Sequence, residues 1–311
     1  MKTKLFTLFL ALVASVGTIS SSVVINGIVY KLNNNQLTAE VISTPGTDVT
    51  YSGDIVIPST VTYNSNEYSV TSIGSYAFYM SEITSIIIPN SVQSIEDAAF
   101  AKCANMASVT IGSGVQRIGV GSGMAAFAYC TNLSAVHICD IAAWCGMNFV
   151  DIEANNPLYY AHRLYLNDKE ITNLVIPEGV TIIETYAFNN CLSITSLYLP
   201  NSVSTIGNSF VDCTNLKLIY SSSATPPTIG YHTFKNISSD AVVYVPDEYV
   251  ATYKKAQYWK NMNIQGSSSM PQAIDQVSNN QSPMTNKVIK DGQIFILRGD
   301  KTYTLQGQEV K

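Results

Sequence analysis

The sequence predicts a β-rich repeat solenoid with a cap at its N-terminal and C-terminal ends and a small β-strand module as a tail. Three observations predict this fold class. A small residue followed by phenylalanine recurs through the middle of the chain, short alternating apolar segments follow each copy, and the C-terminal region loses the repeat. Because 46% of the 311 residues are hydrophobic and 13% are charged, the chain has enough apolar residues to form a buried core.

The repeat is most easily seen in its phenylalanine dipeptides, which are Ala77-Phe78, Ala99-Phe100, Ala126-Phe127, Ala187-Phe188 and Ser209-Phe210. Uninterrupted copies, such as those at Phe78 and Phe100, are 22 residues apart. A period of roughly 20 to 29 residues with one short strand in each unit is typical of a leucine-rich solenoid, in which a repeat buries its apolar face only against its neighbours. We therefore expect one continuous right-handed solenoid over about residues 50–265, with the five phenylalanine rings stacked in its core.

The units share the pattern V-x-x-I-G-x-x-A-F-x-x-C-x-x-L-x-x-V-x-I-P-x-S. This pattern resembles the BspA-type leucine-rich repeats of bacterial surface and secreted proteins, over residues 50 to 265 and including a long repeat at 139–180. Gly112 in place of proline, Ser209 in place of alanine and an insertion at 119–124 depart from it. The resemblance implies a leucine-rich repeat fold and roles such as adhesion to matrix proteins.

The N-terminus predicts a secretory signal peptide at residues 1–21. Lys2 and Lys4 precede an apolar run at 5–16, and small and polar residues follow it. This run is too short to span a membrane, and no other segment approaches the ~18 apolar residues that spanning requires. We therefore expect an exported protein, at the cell surface or extracellular, with no membrane span.

Strand alternation in each unit predicts which side chains form the core. It points Ile83, Ile86 and Ile88 inward, and likewise their equivalents Met106, Val109, Ile111, Leu133, Val136 and Ile138. The residues between them face outward and form our candidate binding face, with a column of Ile87, Thr110, His137, Val175, Tyr198 and Tyr220 beside a column of Ser85, Ser108, Ala135, Asn173, Ser196 and Leu218. Tyr198 and Tyr220 are the predicted anchors. The alternative interpretation is ordinary cross-strand packing.

The ends of the repeat region predict caps. Alternating residues at 23–60 provide strands for the first cap. Residues 246–261 predict a capping helix, because Asp247 and Glu248 lie in its first turn and lysines lie toward its C-terminus. We also expect Trp259 to pack on this cap.

The tail is predicted to be a linker followed by a short β-strand segment. Residues 266–285 are rich in Ser, Asn and Gln, and residues 286–311 predict strands at about 293–298 and 302–306. The latter segment resembles C-terminal sorting segments of exported proteins of Gram-negative anaerobes, including type IX secretion substrates, and a plain β-appendage is the alternative. The integrin-type tripeptide Arg298-Gly299-Asp300 falls where we expect a hairpin. The predicted domains are thus a signal peptide (1–21), a leucine-rich repeat solenoid with caps (22–265), a linker (266–285) and a sorting-like segment (286–311).

Composition limits the function classes. A net charge of -5, with 17 Lys plus Arg, argues against nucleic-acid binding. We predict no catalytic residue, no cofactor and no metal site, because the three histidines lie in no metal or hydrolase motif. Cys103, Cys130, Cys191 and Cys213 each follow a repeat phenylalanine by three residues and predict a ladder of buried thiols, whereas a disulfide between Cys139 and Cys145 is left open.

The sequence therefore favours a monomeric, non-catalytic interaction protein that binds a host or bacterial macromolecule, either a protein or a glycan. A carbohydrate-binding surface component is the alternative, favoured if Tyr198 and Tyr220 are exposed and coplanar. An enzyme would require a pocket with converging titratable groups, which the sequence does not provide.

Overall fold

The structure is a computed structural model that describes residues 22–44, 50–120, 123–150 and 153–268. In the tail it describes the backbone of residues 286–290, 293–298, 301–304 and 309–310. The predicted signal peptide and most of the predicted linker lie outside these residues.

The first half of the repeat region is built on a wide sheet. In chain order, the strands of this half of the chain are β1 (Ser22–Ile25), β2 (Ile28–Asn33), β3 (Thr38–Val41), β4 (Ser52–Val56), β5 (Thr60–Tyr63), β6 (Asn66–Ile73), β7 (Glu82–Ile87), β8 (Ser94–Ile95), β9 (Ser108–Ile111), β10 (Arg117–Ile118), β11 (Ala135–Ile138), β12 (Asn148–Phe149), β13 (Leu164–Leu166) and β14 (Lys169–Glu170). The wide sheet has the order β14-β13-β11-β9-β7-β4, and all its pairs are parallel except that of β13 with β14. The side chains predicted to face inward on β7, β9 and β11 and at their ends are all buried, which confirms the predicted alternation.

The second half repeats this arrangement in a separate sheet. Its strands are β15 (Asn173–Val175), β16 (Ile182–Ile183), β17 (Ser196–Leu199), β18 (Thr205–Ile206), β19 (Leu218–Ser221), β20 (Thr228–Ile229), β21 (Val242–Pro246) and β22 (Asn263–Ser267). A parallel sheet with the order β15-β17-β19-β21-β22 forms the wide face. The strand β22 continues to Ser267, two residues beyond the predicted end of the solenoid at 265.

Repeat units of both halves contribute a second, shorter strand. The sequence analysis predicted only one strand in each unit. The two-residue strands β8, β10 and β12 extend a sheet that begins with β1, β2, β3 and β6, and β16, β18 and β20 form a three-stranded sheet in the second half. The second residues of these strands, such as Ile95, Ile118 and Ile206, are buried. A two-residue strand is too short to give an alternation that the sequence alone reveals.

The phenylalanine turns form a further side of each unit. The Phe78 N–H donates to the Ala99 carbonyl at 2.7 Å, and the Phe100 N–H donates to the Ala126 carbonyl at 2.8 Å. The rings stack with centroid distances of 5.3 Å for Phe78–Phe100, 5.0 Å for Phe100–Phe127, 5.3 Å for Phe188–Phe210 and 5.5 Å for Phe210–Phe234. The five predicted core rings are fully buried, but they form one stack in each half of the chain.

The long repeat at 139–180 separates these two stacks. It contains the helices α1 (Ile141–Cys145) and α2 (Leu158–Ala161) and a 3-10 turn at Glu153–Asn155. The indole Nε1 of Trp144 donates to the Ala187 carbonyl at 2.8 Å, and the amide of Asn156 donates to the Tyr186 carbonyl at 2.7 Å. Because this helical segment replaces an ordinary turn, the described rings do not continue the stack from Phe127 to Phe188.

The predicted continuous helix at 246–261 is wrong. The segment consists of a 3-10 turn at Asp247–Tyr249, the helix α3 (Val250–Tyr253) and a 3-10 turn at Trp259–Asn261. Tyr253 and Trp259 are both buried, with ring centroids 5.3 Å apart. Residues six apart in a continuous helix lie about 240° apart around its axis and therefore on different faces. Burial of both rings in one core requires the break, and the backbone turns at Tyr258 with a φ of 65°.

The two ends of the chain contain antiparallel strands. At the front, β1 pairs with β2 and β2 pairs with β3, which lies parallel to β6. In the tail, β23 (Asn286–Lys290), β24 (Gln293–Arg298), β25 (Lys301–Thr304) and β26 (Glu309–Val310) form a four-stranded antiparallel sheet. Arg298 pairs with Lys301, whereas Gly299 and Asp300 lie outside the described residues.

Candidate interaction surface

The structure divides the predicted outward column between two sheets. Ile87 lies beside Thr110, and Thr110 lies beside His137. The next neighbour of His137 is Tyr165, because the long repeat adds β13 at this position. Val175 begins the second column and lies beside Tyr198, which lies beside Tyr220. The six predicted residues therefore form two groups of three.

The second column contains a third tyrosine that the sequence analysis missed. Tyr244 of β21 pairs with Tyr220 of β19, and the three rings of Tyr198, Tyr220 and Tyr244 form a surface that we call the tyrosine ladder. Centroids are 4.6 Å apart for Tyr198–Tyr220 and 5.4 Å apart for Tyr220–Tyr244, with interplanar angles of 19° and 17°. These distances follow the spacing of about 4.8 Å between neighbouring strands. The segment Val242–Pro246 has the same alternation as the earlier units, so it was the available signal for Tyr244.

The rings of the tyrosine ladder are partly exposed, and they cover one another's faces. Burial raises the pKa of Tyr198 and of Tyr220, and the adjacent phenol of the next ring raises each further. Both groups therefore stay neutral at physiological pH. A partner that approaches the sheet meets a preformed row of ring edges and neutral hydroxyl groups.

The first column ends in a different pair of rings. His137 and Tyr165 stack with centroids 4.8 Å apart, and the sequence analysis missed Tyr165 as well. The His137 Nδ1 lies 3.0 Å from the Asp168 carboxylate, which is well exposed. This contact orients the imidazole ring on the outer face of β11, where the His137 side chain is 24% exposed.

The second predicted column is less uniform than expected. The Ser85 hydroxyl donates to the Asp54 carboxylate at 2.6 Å. Ser196 is buried, although the sequence predicted an outward side chain, and its hydroxyl donates to the Asn173 amide oxygen at 2.7 Å. The strand-to-strand contact removes this hydroxyl from solvent.

The cysteine ladder is a structural feature of the core. The thiols of Cys103, Cys130 and Cys213 donate to the carbonyls of Phe78, Phe100 and Phe188 at 3.0, 3.1 and 3.1 Å. Burial raises the pKa of each thiol, and the pKa of the Cys191 thiol rises to about 11. Cys139 and Cys145 are also free thiols with raised pKa values. Protonated, buried thiols are poor nucleophiles, so this arrangement is suited to packing.

Within the described part of the chain, no group of three His, Cys, Asp or Glu side chains is placed to hold a metal ion. No helix in the same residues is long and apolar enough to cross a membrane.

Short repeats that each add a strand to a wide parallel sheet, stacked on a common core, define a leucine-rich repeat protein. The chain belongs to the BspA type leucine-rich repeat family, whose sequence pattern matches residues 56–149 and 158–281 in six copies. The resemblance found in the sequence is therefore confirmed.

Solved structures similar to this chain include a leucine-rich repeat protein of T. pallidum, with 18% identity, a TM-score of 0.40, and coverage of 79% of this chain and 98% of that one. A leucine-rich cell surface protein of Faecalibacterium prausnitzii has 17% identity and a TM-score of 0.26, with 80% of this chain and 95% of that one covered. The pneumococcal vaccine antigen PcpA has 13% identity and a TM-score of 0.28, with 80% and 99% covered. No curated protein sequence matches the chain.

Proposed function

We propose that this chain is a secreted or surface-displayed protein that binds a host or bacterial protein and catalyses no reaction. The observation that carries this proposal is the tyrosine ladder on the open face of a parallel sheet. Tyrosine provides a large amphipathic contact area with few rotatable bonds. Because the rings already stack, less side-chain freedom is lost when a partner binds.

The geometry of the ladder favours a protein partner over a glycan. Aromatic residues that bind sugars usually present a ring face to the apolar side of the sugar. Tyr220 has a ring on each side, so both of its faces are covered. Ring edges and hydroxyl groups remain, and these match the apolar and hydrogen-bonding groups of a protein surface.

The proposal includes capped ends for the solenoid. The antiparallel strands β1–β3 support a front cap, because β3 pairs with β6 and so places them at the front end of the sheet that β8, β10 and β12 extend. Buried Tyr253 and Trp259 support a cap at the other end, and the Trp259 indole donates to the Pro227 carbonyl at 2.7 Å. Such caps shield apolar faces that an open solenoid would leave in water.

Export is the remaining part of the proposal. The charged and then apolar order of residues 1–21 supports a signal peptide, and the family resemblance supports display on the bacterial surface. We propose that residues 286–311 act as a sorting-like segment, supported by their separate antiparallel sheet. The protein would act as a monomer, without a cofactor.

A binding experiment with matched tyrosine variants tests the function. The probes are immobilised extracellular matrix proteins such as fibronectin and collagen. We expect the triple change Tyr198→Ala, Tyr220→Ala and Tyr244→Ala to weaken binding to the recognised protein at least ~30-fold, which corresponds to about 2 kcal/mol. The control is Tyr76→Ala with Tyr129→Ala, since both side chains are exposed on the turns. Equal weakening by the two variants would contradict a role for the ladder.

A further inference from the structure

A cleft at the C-terminal end of the repeat region is separate from the tyrosine ladder. It has a volume of about 550 Å³. One wall comes from the last repeat turn, with Tyr231, Phe234 and Lys235, and the other comes from the terminal segment, with Tyr258 and Asn261. This volume is sufficient for a small ligand.

The cleft exists because the last turn has no turn after it. In each earlier unit, the phenylalanine N–H donates to a carbonyl of the following turn, as the pairs Phe78–Ala99, Phe100–Ala126, Phe127–Ala154, Phe188–Ser209 and Phe210–Thr233 show. Phe234 is the next phenylalanine in this series, and its N–H has no acceptor among the described residues. The Phe234 ring packs against Trp259 of the terminal segment, with centroids 5.6 Å apart, but no further described turn accepts from its N–H. The last turn therefore offers this backbone donor to a ligand.

Two tyrosine rings stand nearly at right angles in the cleft. Their centroids are 6.1 Å apart with an interplanar angle of 68°. Tyr231 is 74% exposed, the highest value among the exposed large hydrophobic side chains of the described residues. One ring therefore presents a face to solvent, which the central ring of the tyrosine ladder does not.

The backbone at Tyr258 is strained. Its φ of 65° and ψ of -38°, with the Trp259 N–H donating to the Gln257 carbonyl at 2.8 Å, define a γ-turn. This conformation is rare for a residue with a side chain and costs free energy. Buried Trp259 anchors the turn on one side. Strained residues of this kind are concentrated at ligand-binding sites.

The polar groups of the cleft are mostly neutral. The amides of Asn261 and Asn263 and the hydroxyl of Ser239 each can donate and accept hydrogen bonds. Lys235 is the only charged side chain among the described lining residues, and it forms no ion pair within the described part of the chain. Bidentate recognition of a phosphate group favours arginine, and the described lining of the cleft contains none. One exposed tyrosine ring, combined with neutral hydrogen-bonding groups and one cation, matches a sugar that carries a carboxylate.

We propose that this cleft binds a carboxylated saccharide, with the apolar side of the sugar against Tyr231 and its carboxylate near Lys235. Its hydroxyl groups bond to the Asn261 and Asn263 amides, and a sugar oxygen accepts from the Phe234 N–H. The site is independent of the protein-binding ladder proposed above.

The test is a glycan array with the full-length mature protein, followed by titration of glucuronate-terminated and glucose-terminated disaccharides. We expect binding of the glucuronate-terminated probe, at least ~10-fold weaker binding for Tyr231→Ala, and loss of the preference over glucose for Lys235→Gln. Because Tyr231 is exposed, Tyr231→Ala is expected to leave the thermal unfolding temperature unchanged.

The ladder variant with Tyr198, Tyr220 and Tyr244 changed to alanine is the matched control and should bind the saccharide normally. An absence of saccharide binding, or binding that Tyr231→Ala leaves unchanged, would overturn the proposal. Equal affinity for the two disaccharides would overturn the role of Lys235. Selective binding of an extended peptide in this cleft, also lost in Tyr231→Ala, would replace the saccharide by a peptide ligand.

Discussion

Replacement of Phe100 by alanine tests how the core stacks stabilise the solenoid. The Phe100 side chain is fully buried, between Phe78 at 5.3 Å and Phe127 at 5.0 Å. Burial of about 150 Å² of apolar surface at about 25 cal/mol per Å² contributes about 4 kcal/mol. This value agrees with the range of about 3 to 5 kcal/mol for the replacement of a core phenylalanine by alanine.

The end of the stack provides a matched comparison. Phe127 is equally buried but stacks on one ring, Phe100. A stacked aromatic pair contributes about 0.5 to 1.5 kcal/mol beyond its burial. We therefore expect Phe100→Ala to lower the free energy of unfolding by about 1 kcal/mol more than Phe127→Ala. In the second half, Phe210 stacks on two rings and Phe188 on one, so the same difference is expected there.

Urea denaturation followed by circular dichroism measures these differences, with the four single variants compared at one temperature. Hydrogen exchange of the turn amides gives a second measurement if the two halves unfold in separate steps. The reasoning is refuted if replacement of the end rings, Phe127 and Phe188, lowers the free energy of unfolding as much as replacement of the middle rings does in both halves. It is also refuted if replacement of Phe100 or of Phe210 lowers that free energy by less than about 1 kcal/mol.

Two further predictions concern alkaline stability and export. Burial raises the pKa of the Cys191 thiol to about 11, whereas a thiol in the unfolded chain has a pKa of about 8.5. The unfolded chain therefore loses this proton first as the pH rises. The free energy of unfolding should be constant below about pH 8 and should fall above it, by at most about 1.4 kcal/mol per pH unit for each such thiol. Urea denaturation at pH 7, 8.5 and 9.5 measures this slope, Cys191→Ala should reduce it, and a rise in stability over this range would contradict the reasoning. N-terminal sequencing of protein from cell fractions should show exported chains that begin near residues 17–22, and intact Met1 on surface protein would argue against the signal peptide. Deletion of residues 286–311 should reduce surface display, and unchanged display would argue against a sorting role for this segment.

Local sequence pattern was sufficient to predict the core. A period of two within a strand decides which side chains face inward, and this period needs no knowledge of other units. Ile83, Ile86 and Ile88 are buried for this reason. The constant 22-residue step likewise predicted that Phe78 and Phe100 would stack, because equivalent positions of neighbouring repeats lie next to each other.

The candidate surface was predicted less completely. Tyr198 and Tyr220 were found because one regular step separates them, whereas Tyr244 follows a unit in which Thr233-Phe234 replaces the alanine-phenylalanine dipeptide. The cleft at Tyr231 and Tyr258 could not be predicted, because these residues are far apart in the repeat pattern and the strained turn at Tyr258 has no local signature.

The sequence by itself determined the repeat class, the inward face of each strand and the position of the phenylalanine turns. These properties depend on residues within one unit or on a constant spacing between units. Only the tertiary structure decided that the outward column divides after His137, where Tyr165 takes the place expected for Val175. Strand register across the long repeat depends on how its helices and the Trp144 side chain pack against the second half, since the chain between the two sheets has no constant step that would fix the register in advance.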